Sequence, residues 1–272
     1  MNLLRFFIYS NLLISLSAGA LAGACATKLG NPHNLGIGIT VFFATLFIYT
    51  IQRIFRHAEV SENFSARHQW IQKHLIILKV FSGIGIVGSI ATYFFWLGWN
   101  IDFWFLAISA IIGVLYAYQI TPKWLALRDI PYIKIYLIAS QWALTSVYWP
   151  YMRIADSIDF PIALGLSVFT LILAITIPFD IRDIVYDQPT KKTIPQLVGI
   201  QKAKWIAIMI LGISAFTLYS FEKEVVHSFL FYSVYIVFAF LILFSSTQKE
   251  EMYFSGWIDG WIIIYAFLIY LN

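Results

Sequence analysis

The 272-residue chain is 60% apolar and 12% charged, whereas soluble domains are about 45–50% apolar and about 25% charged. A chain this short could not hide so much apolar surface from water, so a soluble protein is excluded and a lipid bilayer is the expected solvent. The formal net charge of +4 does not indicate nucleic-acid binding, because the lysines and arginines lie in short clusters between apolar segments. The single cysteine, Cys25, excludes an internal disulfide and a thiolate metal site.

Apolar windows of about 20 residues predict membrane helices along the whole chain. The first window is long for a secretory or lipoprotein signal and has only Arg5 near its start, so we interpret it as a membrane helix. No linker or repeat divides the chain, so the predicted fold is one all-α domain, residues 1–272, a polytopic bundle of about nine transmembrane helices. The predicted spans are Leu3–Ala26, Leu35–Gln52, His74–Leu97, Phe103–Gln119, Tyr132–Met152, Phe160–Phe179, Trp205–Ser220, Ser228–Phe244 and Phe254–Leu271.

The basic residues are divided unequally between the two sides of this predicted bundle. With nine spans, 15 of the 18 lysines and arginines lie on the side of the N-terminus, and only Lys28, Arg153 and Lys223 lie on the other side. The positive-inside rule then places the N-terminus in the cytoplasm, and an odd number of spans places the C-terminus outside. We expect an integral, multi-pass protein surrounded by lipid in the inner, cytoplasmic membrane of a bacterium.

The loop after the sixth predicted span contains a group of carboxylates. On a helix, Asp180, Asp183 and Asp187 fall at about 0°, 300° and 340°, so they share one face and repel one another unless a cation lies between them. Mg²⁺ suits such a site because it binds through carboxylates, waters and phosphate oxygens, and Lys191 and Lys192 could contact the same phosphates. The alternative is a solvated acidic helix end paired with Arg182 and these lysines, and the charge pattern leaves both interpretations open.

The loop after the second predicted span is basic. Arg53, Arg56 and His57 have i, i+3, i+4 spacing and would project from one helix face as the helix leaves the membrane. This pattern is compatible with an anion site, although anchoring to anionic lipid is the more common role of such a cluster. The histidines of this loop have no carboxylates at ligand spacing, so we do not expect them to bind a metal.

The aspartates resemble the second aspartate-rich motif of the UbiA superfamily of intramembrane prenyltransferases. These proteins have nine helices, a cytoplasmic N-terminus and two aspartate-rich loops, which follow the second and sixth helices. Residue types, their order and the helix number agree together in the sixth loop, where the matching residues are Asp180, Asp183, Asp187, Lys192, Thr193, Ile194, Pro195 and Gly199. The fourth loop is similar too, with Tyr116, Tyr118, Pro122, Arg128 and Lys134.

The second loop departs from the family pattern. The family's first motif should begin near Thr50, but the sequence continues with Gln52 and Arg53, and no aspartate occurs before Asp102. Since that motif holds one of two Mg²⁺ ions in the family, the resemblance implies one Mg²⁺ here, with arginines or Lys134 in place of the other ion.

The resemblance implies transfer of a prenyl group from a prenyl diphosphate to an acceptor. The implied catalytic and metal-binding residues are Asp180, Asp183 and Asp187. The implied substrate-binding residues are Arg53, Arg56, Lys134, Lys191, Lys192, Tyr116 and Tyr118. Aromatic rings would shield the carbocation, and the further candidates are Trp142 and Tyr148.

Loss of the first motif favours a second hypothesis, in which the chain is a non-catalytic lipid-binding or structural subunit with membrane-protein partners. A transporter would need an ionisable group near the middle of the membrane, and Asp259 is the only strong candidate. Asp259 lies only about 7 Å into the last predicted span, so a Lys or Arg partner near the interface is the simpler explanation of its presence.

The charge bias predicts that the loops containing Arg56, Arg128, Lys191 and Lys249 all face the cytoplasm. Cysteine substituted at each position should resist a membrane-impermeant thiol reagent in intact cells. Cysteine at Lys28 or Arg153 should react and serves as the control. Labelling at even one of the four positions would contradict the nine-span topology.

Overall fold

The computed structural model describes residues 3–59, 66–118, 126–154, 159–185, 192–221 and 228–271, and all regular secondary structure in these ranges is helical. The all-α fold class is therefore confirmed. The helices are α1 (Leu3–Tyr9), α2 (Leu12–Lys28), α3 (Asn34–Glu59), α4 (Ala66–Lys73), α5 (Leu75–Thr92), α6 (Asp102–Ala117), α7 (Lys134–Ala143), α8 (Trp149–Met152), α9 (Ile162–Asp183), α10 (Ile194–Val198), α11 (Ile200–Phe221), α12 (Ser228–Leu243) and α13 (Asp259–Leu271). Wider π-helical turns at Tyr93–Leu97, Leu144–Tyr148 and Tyr253–Ile258 extend α5, join α7 to α8 and precede α13.

The described residues contain five helical segments that are long and apolar enough to cross a membrane, and α1 with α2 forms a sixth if this bent pair is one span. Two shorter apolar helices, Asp102–Ala117 and Phe229–Leu243, coincide with the fourth and eighth predicted spans. The chain is thus an integral membrane protein by the length and composition of its helices. The number of nine spans stays a prediction.

The first predicted span is not one straight helix. It breaks between α1 and α2 with a bend of 63°, because Asn11 has φ 68°, in the left-handed region that interrupts an α-helix. The buried Asn11 amide nitrogen donates a hydrogen bond to Thr50 Oγ1 of α3 at 3.1 Å. Asn11 therefore bends the first span and attaches it to the end of the second.

Close packing of α2 on α3 depends on glycine. A Cβ added at Gly19 would lie 2.7 Å from the backbone oxygen of Gly38, and a Cβ added at Gly38 would lie 2.9 Å from the oxygen of Gly19. Only residues without a side chain allow this approach. The glycines of α2 are thus part of a helix interface.

The centre of the bundle is α9. Buried residues make up 72% of its apolar window, compared with 17% for the window that begins at Leu75, so α5 lies at the periphery. The most extensive helix contacts join α2 to α3, α3 to α5, α9 to α11 and α2 to α13. A buried hydroxyl cluster also ties α9 to α11, α12 and α13, and its members are Ser167, Ser214, Tyr235 and Tyr265.

The end of the bundle opposite to the α9 C-terminus is held by Asp102 at the start of α6. Its buried carboxylate accepts hydrogen bonds from Tyr93 Oη at 2.6 Å, Trp149 Nε1 at 2.8 Å and Arg153 Nη1 at 2.6 Å. Arg153 Nη2 also donates to the backbone oxygen of Leu97 at 2.5 Å. This ion pair is saturated with hydrogen bonds and joins α5, α6 and α8.

Asp102→Ala is expected to lower the free energy of unfolding by about 3–5 kcal/mol, because it leaves the buried guanidinium of Arg153 without its counter-charge. Thermal unfolding of the purified protein in detergent measures this effect. Asp159→Ala, at an exposed aspartate, is the matched control and should change stability by less than about 0.5 kcal/mol. Equal effects of the two substitutions would contradict the role of the Asp102 group.

Candidate functional site

The predicted carboxylate pair forms the last turn of α9. Asp180 and Asp183 are buried, with 1% and 7% of their surface exposed, and their i, i+3 spacing places them on neighbouring turns of one face. The apolar run of the sixth predicted span continues as helix to Asp183, so these residues lie at a helix end inside the bundle and not in a solvated loop. The alternative is therefore wrong in expecting these carboxylates to be solvated, whereas the pairing with Arg182 that it expects is present for Asp183. Asp187 and Lys191 lie outside the described residues.

Lys134, at the start of α7, lies between the two carboxylates. Its Nζ is 2.6 Å from Asp180 Oδ1 and 4.0 Å from Asp183 Oδ2. The two carboxylates thus converge on one point that a cation can hold. Two converging carboxylates fit one Mg²⁺, which commonly binds through one or two carboxylates and completes its shell with water and phosphate oxygens. Within the described part of the chain no three His, Cys, Asp or Glu side chains form a metal-binding group.

A row of ion pairs continues from Asp183 across the helix ends. Arg182 donates through Nε and Nη2 to Asp183 at 2.7 and 3.1 Å and through Nη1 to Glu251 Oε2 at 2.9 Å. Glu251 in turn pairs with Arg67 of α4 and accepts a hydrogen bond from Ser255 Oγ at 2.7 Å. Sequence reasoning paired Arg182 with its own helix end and missed Glu251, because no local spacing relates residues 182 and 251.

An open pocket lies beside Asp180. Its lining includes the cations Arg128, Lys134 and Lys192 together with Tyr132 and Thr193. Three cations and a single carboxylate, Asp180, give the wall a net positive charge, which favours a bound anion. The structure therefore brings Lys134 and Lys192 to the aspartates, as the sequence predicts, and adds Arg128.

Arg53 lies in the last part of α3 and is held by Asn11. Its Nε donates a hydrogen bond to Asn11 Oδ1, so the residue that bends the first span also orients this guanidinium. The charges of Arg53 and Arg182 both act on the Asp259 carboxyl, which places the end of α3 and the end of α9 around one group. The basic partner that the sequence predicts for Asp259 is therefore not found among the described residues, since the two arginines act on it only from beyond ion-pair distance. Arg56 lies in α3, and its side chain is outside the described part of the structure.

The predicted cation-shielding rings do not form one group. Trp142 Nε1 donates to Tyr49 Oη at 3.2 Å, and the Tyr116 and Tyr49 hydroxyls interact electrostatically. Tyr118 is exposed and packs on a ring at the outer side of α3. Tyr148 packs against Gly165, near the start of α9, which is 15 residues and about 22 Å before Asp180. Trp142 and Tyr116 therefore remain as candidates, and the structure adds Tyr49, which the sequence analysis did not single out.

The fold is that of UbiA homologues. Structures of a UbiA homologue from Archaeoglobus fulgidus bound to GPP and Mg²⁺, to DMAPP and Mg²⁺, and to Cd²⁺ match with TM-scores of 0.63, 0.61 and 0.58 at 17%, 16% and 18% identity. The matches cover 97% of this chain and 99–100% of those chains. No protein-family model and no curated protein sequence matches the chain. The fold that the resemblance implies is thus confirmed.

The position of Lys134 generates a test of the metal site that needs no catalysis. Lys134→Met should lower the free energy of unfolding in EDTA by about 2–3 kcal/mol, because the buried Asp180 loses its counter-charge while Asp183 retains Arg182. Millimolar Mg²⁺ should restore part of this loss, since a divalent cation can take the place of the ammonium. Thermal unfolding with and without Mg²⁺ measures both effects.

Lys249→Met, which removes a surface lysine, is the control and should show neither effect. Destabilisation of Lys134→Met to the same extent in EDTA and in Mg²⁺ would contradict a cation site at these carboxylates.

Proposed function

We propose that this chain, which has the UbiA fold, is an intramembrane prenyltransferase that transfers a prenyl group from a prenyl diphosphate to an acceptor. The single observation that carries this proposal is the convergence of Asp180, Asp183 and Lys134 beside a pocket with a net positive wall. Carboxylates that can hold a divalent cation and basic side chains that can hold phosphate are the groups that diphosphate departure requires.

The diphosphate is bound by basic residues on three sides. In this proposal Arg128, Lys134 and Lys192 contact it from the pocket, and Lys191 adds a further charge from outside the described residues. Arg53 and Arg56 approach from α3 and replace the ion that the missing first motif would hold. Arginine suits this task because its guanidinium stays ionised and presents several donors to phosphate oxygens.

One Mg²⁺ would be held by Asp180 and Asp183 together with Asp187, and when bound it neutralises the charge that develops on the departing diphosphate. Lys134 then moves its ammonium from Asp180 to a phosphate oxygen. The Trp142, Tyr49 and Tyr116 rings bound the adjacent space and shelter the allylic carbon from water. The prenyl chain extends from there between apolar helices.

The pocket is proposed to open to the cytoplasm, with the N-terminus on the same side and the C-terminus outside, as the charge bias predicts. The chain acts as a single domain in a bacterial inner membrane in this proposal. A non-catalytic subunit that binds lipid and other membrane proteins is the competing function, and it is an outcome of the test below.

Binding of a prenyl diphosphate tests the function. Asp183→Asn should weaken binding about tenfold in millimolar Mg²⁺ and change little in EDTA, because the metal and the phosphate complete each other's coordination. Arg53→Ala should weaken binding in both conditions, since its charge acts without a metal. Calorimetry with purified protein measures the affinities, and release of diphosphate measures turnover, which Asp183→Asn should abolish.

Arg5→Ala, at an exposed arginine of α1, removes the same charge as Arg53→Ala and should leave binding unchanged. The catalytic function fails if the protein binds no diphosphate lipid in millimolar Mg²⁺ and Asp183→Asn alters only stability or assembly. That result would leave the non-catalytic subunit as the function.

A further inference from the structure

Asp259, the first residue of α13, is a carboxylate whose side chain has no direct partner among the described residues. Its side chain makes no hydrogen bond there and no ion pair within 4.0 Å, while its backbone oxygen accepts a hydrogen bond from Ser17 Oγ at 2.7 Å. The side chain is half-buried, so it retains access to space within the bundle. Asp102, Asp180 and Asp183 are all directly paired, so Asp259 is the exception among the buried acids of the described helices.

The groups that face Asp259 come from two other helices. The positive charges of Arg182 and Arg53 act on its carboxyl from beyond ion-pair distance, and it interacts electrostatically with the Tyr49 hydroxyl. Arg182 is already held by Asp183 and Glu251, and Arg53 by Asn11. Both guanidiniums are therefore occupied elsewhere, and neither closes on Asp259.

The depth of Asp259 separates it from the phosphate pocket. It follows Glu251, which belongs to the row of ion pairs at the helix ends, by eight residues, or about 10 Å along a helix. Tyr49 is likewise about 6 Å deeper in α3 than Arg53. Asp259 thus lies on the bilayer side of the charged groups. In the proposed function, the prenyl chain of a diphosphate held at Asp180 and Lys134 extends toward this side.

An unpaired carboxylate in such surroundings is costly unless a positive group arrives beside it. We infer that Asp259 is a catalytic residue whose carboxylate faces the allylic carbon, stabilises its positive charge and accepts the proton that the acceptor loses. This role rests on the proposed function and adds to it a carboxylate that lies outside both aspartate motifs.

The reaction balances with the groups named. The bond between the prenyl C1 and its oxygen breaks, and both electrons leave with the diphosphate. The acceptor donates an electron pair to C1 to form the new bond, and the acceptor proton passes to the Asp259 carboxylate. With water as acceptor, the products are the prenyl alcohol, diphosphate and one proton, so the step can be measured without knowledge of the natural acceptor.

The test compares binding and turnover of geranyl diphosphate as a probe. Purified wild type in Mg²⁺ should release diphosphate and form geraniol in a single turnover. Asp259→Asn should release diphosphate about 100-fold more slowly, while its dissociation constant for the non-ionising thio analogue of geranyl diphosphate stays within about threefold. Asp259→Glu should recover part of the rate because it restores the negative charge.

Glu250→Gln is the matched control, since it removes the same charge at an exposed position of the segment before α13 and should change neither quantity. Release by Asp259→Asn at the wild-type rate would overturn the role of Asp259 and leave the proposed function intact. A loss of rate accompanied by an equal loss of binding or folding, with no recovery in Asp259→Glu, would assign Asp259 a structural role instead. A wild type that binds the analogue and releases no diphosphate would overturn the proposed function and this role together.

Discussion

Charged side chains inside a helix bundle need counter-charges, because neither lipid nor close-packed protein can solvate them. At the end of α9 this constraint is met by acids and bases that alternate in space: Asp180 and Asp183 share Lys134, Asp183 pairs with Arg182, and Arg182 continues to Glu251. The alternation holds three helix ends together and gives each buried carboxylate a basic partner. The site and the stability of this end of the bundle thus depend on the same pairs.

The two ends of the bundle satisfy the constraint in different ways. At one end the Asp102 carboxylate accepts hydrogen bonds from three side chains. These bonds occupy its oxygens and connect the neighbouring helices, so the group has a structural role. At the other end the partners of Asp180 and Asp183 are themselves shared or lie beside an open pocket. Asp259 represents a third case, in which the counter-charges are near but committed to other groups.

Much of the fold follows from sequence because apolar windows and helix geometry are local. The position of α9 and the shared face of Asp180 and Asp183 belong to this class, whereas the continuation of α9 beyond the predicted end at Phe179 does not. The bend at Asn11 could not be predicted, since asparagine at mid-span has no signature until its amide meets Thr50 and Arg53. Glu251 was missed for the same reason, since it reaches the α9 end from a distant part of the sequence. Asp259 was singled out in the sequence, but only packing shows which charges act on it.

The alternating row of charges at the α9 end has a consequence for divergence of the sequence. The row contains three acids and three bases. The acids are Asp180, Asp183 and Glu251, and the bases are Lys134, Arg182 and Arg67. Replacement of any one member leaves an odd buried charge, whereas joint replacement of neighbours keeps the sum unchanged. Positions 67, 182 and 251 should therefore covary among close relatives, and a lineage that neutralises Glu251 should also carry a neutral residue at position 67.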